Sequence, residues 1–275
     1  MDEAAAGWRG QRVLVTGGSG FLGAAVVELL LEHGTEVIGL VRDRAAAATF
    51  ARHHLAGHVR ILNGRTDDFF RVHSALAIHD VQRVLHFPPS ESAASDRGIT
   101  TILEAVRKFD PRVPVVFPRS GSAASLITSP VPLGIARFDE LFGPDAEAHG
   151  TVAGAIACLM AHERPVPRDR APRDFVHVRD AARACLLLAE AVAKHPVPHV
   201  REANFRSGWL FGERELFTAI REALAGRPPL VPFISLPTNP LDWAPSLNFG
   251  EAIADTVEWY RGRPVVRPER ARVAA

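Results

Sequence analysis

Short runs of aliphatic and β-branched residues alternate along the first half of the chain with longer stretches whose apolar positions recur every three or four residues. Arg-Val-Leu-Val-Thr at 12–16, Glu-Val-Ile-Gly-Leu-Val at 36–41, 58–62, 81–87 and 113–117 read as strands. Between them, helices are predicted from Phe21 to about His33, through the alanine-rich 44–55, from Asp67 to about His79 and near 96–109. Strands of this length separated by helices of about 10–15 residues imply parallel strands joined by right-handed crossovers. The predicted fold class is therefore α/β: a doubly wound parallel (Rossmann) sheet with a smaller C-terminal substrate lobe. The expected division is 1–144 plus 171–203 for the dinucleotide-binding domain and 145–170 plus 204–262 for the proline-rich substrate lobe. The strand Leu-Gly-Ile-Ala-Arg-Phe and the 173–190 segment are assigned to the main sheet, and 263–275 to a disordered tail.

Composition narrows the partners. The 275 residues are 47% hydrophobic, enough for a large core, and 32 basic against 31 acidic residues leave a net charge of +1. No surplus field is available for nucleic acid or an anionic membrane, so small molecules or protein are the expected partners. Cys158 and Cys185 lie in apolar helical segments without metal or redox spacing and read as reduced, buried thiols, which fits the cytoplasm. The longest apolar run, 152–161, falls short of the roughly 20 residues a membrane span needs, no export leader is recognised at the N-terminus, and no metal set is predicted.

The strongest motif follows the first strand. Val-Leu-Val-Thr-Gly-Gly-Ser-Gly-Phe-Leu-Gly places Gly17, Gly20 and Gly23 between a buried strand and an apolar helix, with Ser19, Phe21 and Leu22 in the same turn. Glycines there permit a tight turn and let backbone N–H groups approach a pyrophosphate at the helix N-terminus. At the end of the second strand, Arg42 could pair with a 2′-phosphate and Asp43 could serve a ribose hydroxyl, so NAD and NADP both stay open.

These residues resemble the extended short-chain dehydrogenase/reductases, the NAD(P)-dependent epimerases and dehydratases of nucleotide sugars, over nearly the whole chain. The glycine motif is similar to that family's Thr-Gly-x-x-Gly-Phe-x-Gly, and Asp-Val-Gln-Arg-Val-Leu-His-Phe-Pro-Pro at 80–89 to its fourth strand ending in His-x-Ala-Ala. Arg-Phe-Asp-Glu-Leu-Phe-Gly-Pro at 137–144 is similar to Arg-x-x-Asn-x-Tyr-Gly-Pro, and 173–180 to Arg-Asp-Phe-x-His-Val-x-Asp. The closing segment 241–262 resembles the family's Gly-Trp-x-Pro and last helix. The resemblance implies a cofactor, NAD or NADP, held by Gly17, Ser19, Gly20, Phe21, Leu22, Gly23, Arg42, Asp43, Asp67 and His86. It also implies a nucleotide sugar or related substrate met by Arg173 and Ser122.

One part of the family pattern is absent. Members use a Ser or Thr at the end of the fifth strand, matched here by Ser120, together with a later Tyr-x-x-x-Lys on a helix. Lysine lowers the tyrosine pKa so that the phenol can act as a base. Here the sole tyrosine is Tyr260, beside Trp259 in the last predicted helix, where packing is its expected role; the only lysines are Lys108 and Lys194. The chain passes from Ser120 to the sixth strand in fewer than twenty residues, which leaves no room for that helix. Two readings follow: an enzyme with a rebuilt acid–base set drawn from Ser120, Ser122, Asp139, Glu140 and His86, with Ser120 and Glu140 as the catalytic candidates, or an inactive nucleotide-binding homologue. Loss of that helix also implies an atypical homo-oligomer or a monomer. Asp180 reads as the N-cap of a helix starting at Ala181, and His177 as a packed core histidine.

Overall fold

The computed structural model describes residues 7–43, 55, 57–88, 93–119, 128–146, 150–168, 170–229 and 238–262. The predicted helix over 44–55, apart from Leu55, and the 263–275 tail lie outside these residues.

The period-two and period-3.6 patterns of the N-terminal half become β1 (Arg12–Thr16), α1 (Phe21–Glu32), β2 (Glu36–Val41), β3 (Val59–Asn63), α2 (Phe69–Ile78), β4 (Arg83–His86), α3 (Ala93–Phe109) and β5 (Val115–Arg119). Then follow β6 (Pro132–Arg137), β7 (Glu140–Phe142), α4 (Thr151–Met160), β8 (Arg173–His177), α5 (Val178–Ala193), β9 (His199–Asn204), β10 (Leu210–Phe211), α6 (Glu213–Leu224) and α7 (Phe249–Arg261). Among the described residues seven strands form one sheet in the order β3-β2-β1-β4-β5-β6-β9, every pair parallel. Strand order reverses between β1 and β4, where a doubly wound sheet opens a crevice at its C-terminal edge.

The chain divides into two compact units. The first holds residues 1–138, 181–205 and 239–243, the second 139–180, 206–238 and 244–275. The sequence pattern places 139–144 and 171–180 with the first unit and 204–205 and 239–243 with the second, the reverse of this division. The 173–177 strand does not join the main sheet: β8 pairs parallel with β7 and antiparallel with β10 in a separate three-stranded sheet. Its apolar pattern suits burial in either sheet, so only the pairing partner decides between them.

In the first unit, Leu14, Ile38, Val84, Val115, Leu133 and Ile135 of the strands pack with Ile102 and Val106 of α3 and Val72 and Leu76 of α2. Strands covered on both faces need side chains that are apolar throughout, which explains the unbroken hydrophobic runs in the sequence. Trp8, fully buried, lies 4.2 Å from the Arg83 guanidinium and donates its indole N–H to Glu190. The second unit has its own core of Phe142, Phe175, Phe211 and Phe249 with Ile156, Leu216 and Ile253. Caps fix two helices: Asp68 accepts from the Arg71 N–H at 3.0 Å before α2, and Asn248 and Glu251 bond reciprocally before α7.

Candidate functional site

The loop between β1 and α1 is shaped by close backbone approach. Gly17 has φ +68°, and a Cβ there would lie 1.7 Å from the carbonyl oxygen of Phe87; a Cβ on Gly23 would lie 2.2 Å from the Gly17 oxygen. The Gly20 N–H donates to that same oxygen at 3.0 Å. Only glycine satisfies both steric limits and the positive φ. Gly20 is the N-cap of α1 and offers no side-chain cap, and the first turn carries no acid, so the helix start has N–H groups and a positive dipole end free for an anion. Ser19 and Phe21 are half-buried, while the Leu22 side chain is buried on the inner side of the helix.

At the crevice, Thr16 and His86 are register partners at the ends of β1 and β4, and both are buried. Thr16 Oγ1 and His86 Nδ1 are 2.5 Å apart, and His86 Nε2 is buried without a hydrogen-bond partner among the described residues. Burial pushes the imidazole down to about 4, so it is neutral at pH 7, and one ring nitrogen has no hydrogen-bond partner among the described residues. Gly98 of α3 permits the close approach here, since its Cβ would stand 2.8 Å from Thr66 Oγ1 and 3.9 Å from His86 Cε1.

The outer rim is charged and exposed. Arg42 bonds Asp43 at 3.1 Å beyond β2. Arg65 pairs with Asp67 through two bonds of 2.8 and 2.7 Å, which hold the Asp67 carboxyl below its ordinary range. Pairs so exposed exchange readily with solvent or a ligand. Thr16 was not singled out from the sequence; the signal available was the parallel pairing of strands 1 and 4, which sets the residue before Gly17 beside the last residue of β4.

The second unit gathers the polar residues of the 137–144 and 173–180 motifs. Glu140 lies opposite Phe175 in the β7–β8 ladder, so Arg173, two residues earlier, falls diagonally on the same face. Arg173 donates through Nη1 to Glu140 at 2.5 Å and through Nη2 to Thr151 Oγ1 at 3.0 Å. Asp174 accepts from the N–H and hydroxyl of Ser207 and from the Gly208 N–H at 2.8–3.1 Å, while burial raises its pKa against these bonds. Asp139 accepts the Asp174 N–H at 2.9 Å, a backbone role. His177 is fully buried, with Nε2 3.3 Å from Asp255 Oδ2 and its ring 5.4 Å from that of Phe142. The His177 contact, with Arg179 as a second cause, draws the Asp255 carboxyl below its usual value. Because α5 begins at Val178, Asp180 lies inside its first turn and is not an N-cap; its Oδ1 accepts from the N–H and hydroxyl of Ser246 at 2.8 and 2.6 Å.

Tyr260 donates its hydroxyl to the Ala146 carbonyl at 2.6 Å. Burial, aided by Asp145, pushes the phenol up to about 12, the opposite direction to that needed by a catalytic base. Ser120 and Ser122 lie outside the described residues. Among the described residues no three His, Cys, Asp or Glu side chains gather as metal ligands would, and no helix is long and apolar enough to cross a membrane.

A model of the NAD dependent epimerase/dehydratase family matches residues 13–125 and 129–202. The chain belongs to this family. It is 26% identical to the UDP-glucose 4-epimerase of Streptomyces lividans over 92% of this chain and 97% of that protein. That alignment spans 324 positions, more than the 275 residues present here, so the relative carries segments without a counterpart in this chain. Two solved structures share the fold. The Thermotoga maritima UDP-glucose 4-epimerase with UDP-glucose has a TM-score of 0.71 at 20% identity, over 92% of this chain and 99% of that one. The Bacillus anthracis dTDP-glucose 4,6-dehydratase in complex with NAD has a TM-score of 0.73 at 17% identity, over 92% and 97%. The family match is interrupted at 126–128, inside the connection from β5 to β6.

Proposed function

We propose that this family member binds a nicotinamide dinucleotide at the β1–α1 loop and acts on a nucleotide-linked sugar or a related small molecule with an acid–base set other than Tyr-x-x-x-Lys. The observation that carries the reading is the loop, in which Gly17 and Gly23 leave no space for a Cβ and α1 begins without a cap. That cradle fits a pyrophosphate, and His86 Nε2, without a hydrogen-bond partner among the described residues, adds a polar group at the same crevice. In this reading Gly17, Ser19, Gly20, Phe21, Leu22 and Gly23 form the phosphate turn, and Arg42, Asp43 and Asp67 border the adenosine end. A bound nicotinamide supplies hydride acceptance and donation. Ser120 steadies the substrate oxygen, Ser122 and Arg173 meet the rest of the substrate, and Glu140 enters through its bond to Arg173. Relatives named for UDP-glucose and dTDP-glucose chemistry support the substrate class.

A second reading, a ligand-binding homologue without turnover, is favoured by Tyr260, whose hydroxyl is committed to a backbone carbonyl. Native mass spectrometry with NAD⁺, NADP⁺ and a panel of nucleotide sugars tests the binding. Retained dinucleotide followed by Ser120-dependent turnover supports the enzyme, and retained dinucleotide without turnover supports the binder. Failure to bind either dinucleotide overturns both. The short β5–β6 connection leads us to expect a monomer or an atypical homo-oligomer; light scattering that returns a dimer built on helices after β4 and β5 would count against this.

A further inference from the structure

The guanidinium of Arg173 has both terminal nitrogens engaged inside the second unit, one on a carboxylate and one on the first residue of α4. Neither member of the ion pair is open surface: the side chains of Arg173 and Glu140 are 27% and 17% exposed. The ladder register holds them on one face of the three-stranded sheet, so the pairing follows from backbone geometry and not from a chance rotamer. Helix α4 starts at Thr151 behind Gly150, which provides no side-chain cap, and its first turn contains no acid. Among the described residues, Glu140 is the only carboxylate bonded to the Arg173 guanidinium.

We infer that Glu140 is a built-in anion that occupies the place a ligand phosphate would take on Arg173, and that it sets the specificity of this site against diphosphate groups. The inference rests on the reading of the chain as a ligand-binding family member and sharpens it: the substrate is uncharged where it meets Arg173, a sugar or polyol portion instead of a diphosphate. The Arg173–Glu140 ion pair, taken together, carries no net charge to offer a ligand anion. A diphosphate must either displace Glu140, losing a half-buried charge-assisted bond, or lie beside it and suffer like-charge repulsion. A neutral hydroxyl group meets neither obstacle, and finds in the carboxylate an acceptor and in the guanidinium a donor.

The test is calorimetric titration of UDP and of inorganic pyrophosphate into the full-length protein, into Glu140→Gln and Glu140→Asn, and into Glu140→Gln combined with Arg173→Met, each first checked for native circular dichroism. Removing the carboxylate while keeping an amide of similar size is expected to tighten UDP binding by about tenfold or more, with the gain abolished in the double variant. Glu140→Asn carries the test should Glu140→Gln fail to fold. Equal affinity for UDP in the wild type and the amide variants overturns the inference, as does a gain that survives loss of Arg173. NAD⁺ titrated in parallel reports on the β1–α1 loop alone, so loss of dinucleotide binding with the UDP gain intact would count against the proposed function and leave this inference standing.

Discussion

The buried polar groups of the two units are finished differently. In the first, Thr16 and His86 bond each other at the β1–β4 crevice and leave His86 Nε2 buried without a hydrogen-bond partner among the described residues, in the same unit as a helix start without a side-chain cap. In the second, Asp174 closes on Ser207 and Gly208, Asp180 on Ser246, and Arg173 on Glu140 and Thr151, while His177 Nδ1 is, like His86 Nε2, buried without a hydrogen-bond partner among the described residues. An unsatisfied buried group is costly unless something outside the chain completes it, whereas a satisfied one stabilises the fold and resists a competing ligand. The difference lies in the motif residues: Arg173 and Asp174 find their partners within the second unit, whereas the helix start after Gly20 in the first has no side-chain cap.

The contrast is broken most severely at Gly17. Gly17→Ala sets a Cβ against the Phe87 carbonyl at a positive φ, and should abolish dinucleotide binding in calorimetry while lowering stability by about 2 kcal/mol or more. Retained binding would show that the loop is only a structural turn.

His86 should dominate the pH dependence of the first unit. Its folded pKa, about 4, is below the ordinary 6.5, so between these values the unfolded chain binds the extra proton and stability rises with pH. Stability from this group is complete above about pH 6.5 and falls as the pH drops toward 4, by up to about 3 kcal/mol. His86→Gln should flatten that part of a chemical-denaturation pH series; an unchanged slope would place the titration elsewhere.

In the second unit, Asp174→Ala orphans the Ser207 and Gly208 donors and should cost about 2 kcal/mol in denaturant midpoint without changing dinucleotide affinity. A loss of dinucleotide binding comparable to that of Gly17→Ala would erase the distinction between the units. Tyr260→Phe, which deletes one bond to Ala146, should cost about 1 kcal/mol and leave any turnover intact, unlike the loss of a catalytic tyrosine. The smallest effect concerns the thiols. Cys185 is buried with its pKa pushed up to about 12, and should resist a thiol reagent in the native state, with half-exposed Cys158 reacting first. Labelling of Cys185 ahead of Cys158 would indicate that the α5 core opens locally.

Much of this was legible in the order of residues. The glycine spacing, the strand–helix alternation and the missing Tyr-x-x-x-Lys need only local rules: φ preferences, periodicity and the presence or absence of a residue type. Even helix ends were readable, with the helix predicted from Asp67 starting at Phe69 behind its Asp68 cap. Legibility ended where a choice depended on distant partners. The 173–177 run is buried in any sheet, yet it pairs with β7 and β10 and leaves the main sheet to β9, and its helix starts three residues before Ala181 so that Asp180 meets Ser246.

The same division holds for the candidate site. The glycine turn before α1 was determined by sequence alone, because a tight turn meeting a helix N-terminus is a property of a few consecutive residues. That Thr16 completes His86, that Glu140 binds Arg173 and that Tyr260 is held by a backbone carbonyl were decided only in three dimensions. Each joins groups 33 to 114 positions apart, and no local preference specifies which polar group will stand beside which once the strands have chosen their neighbours.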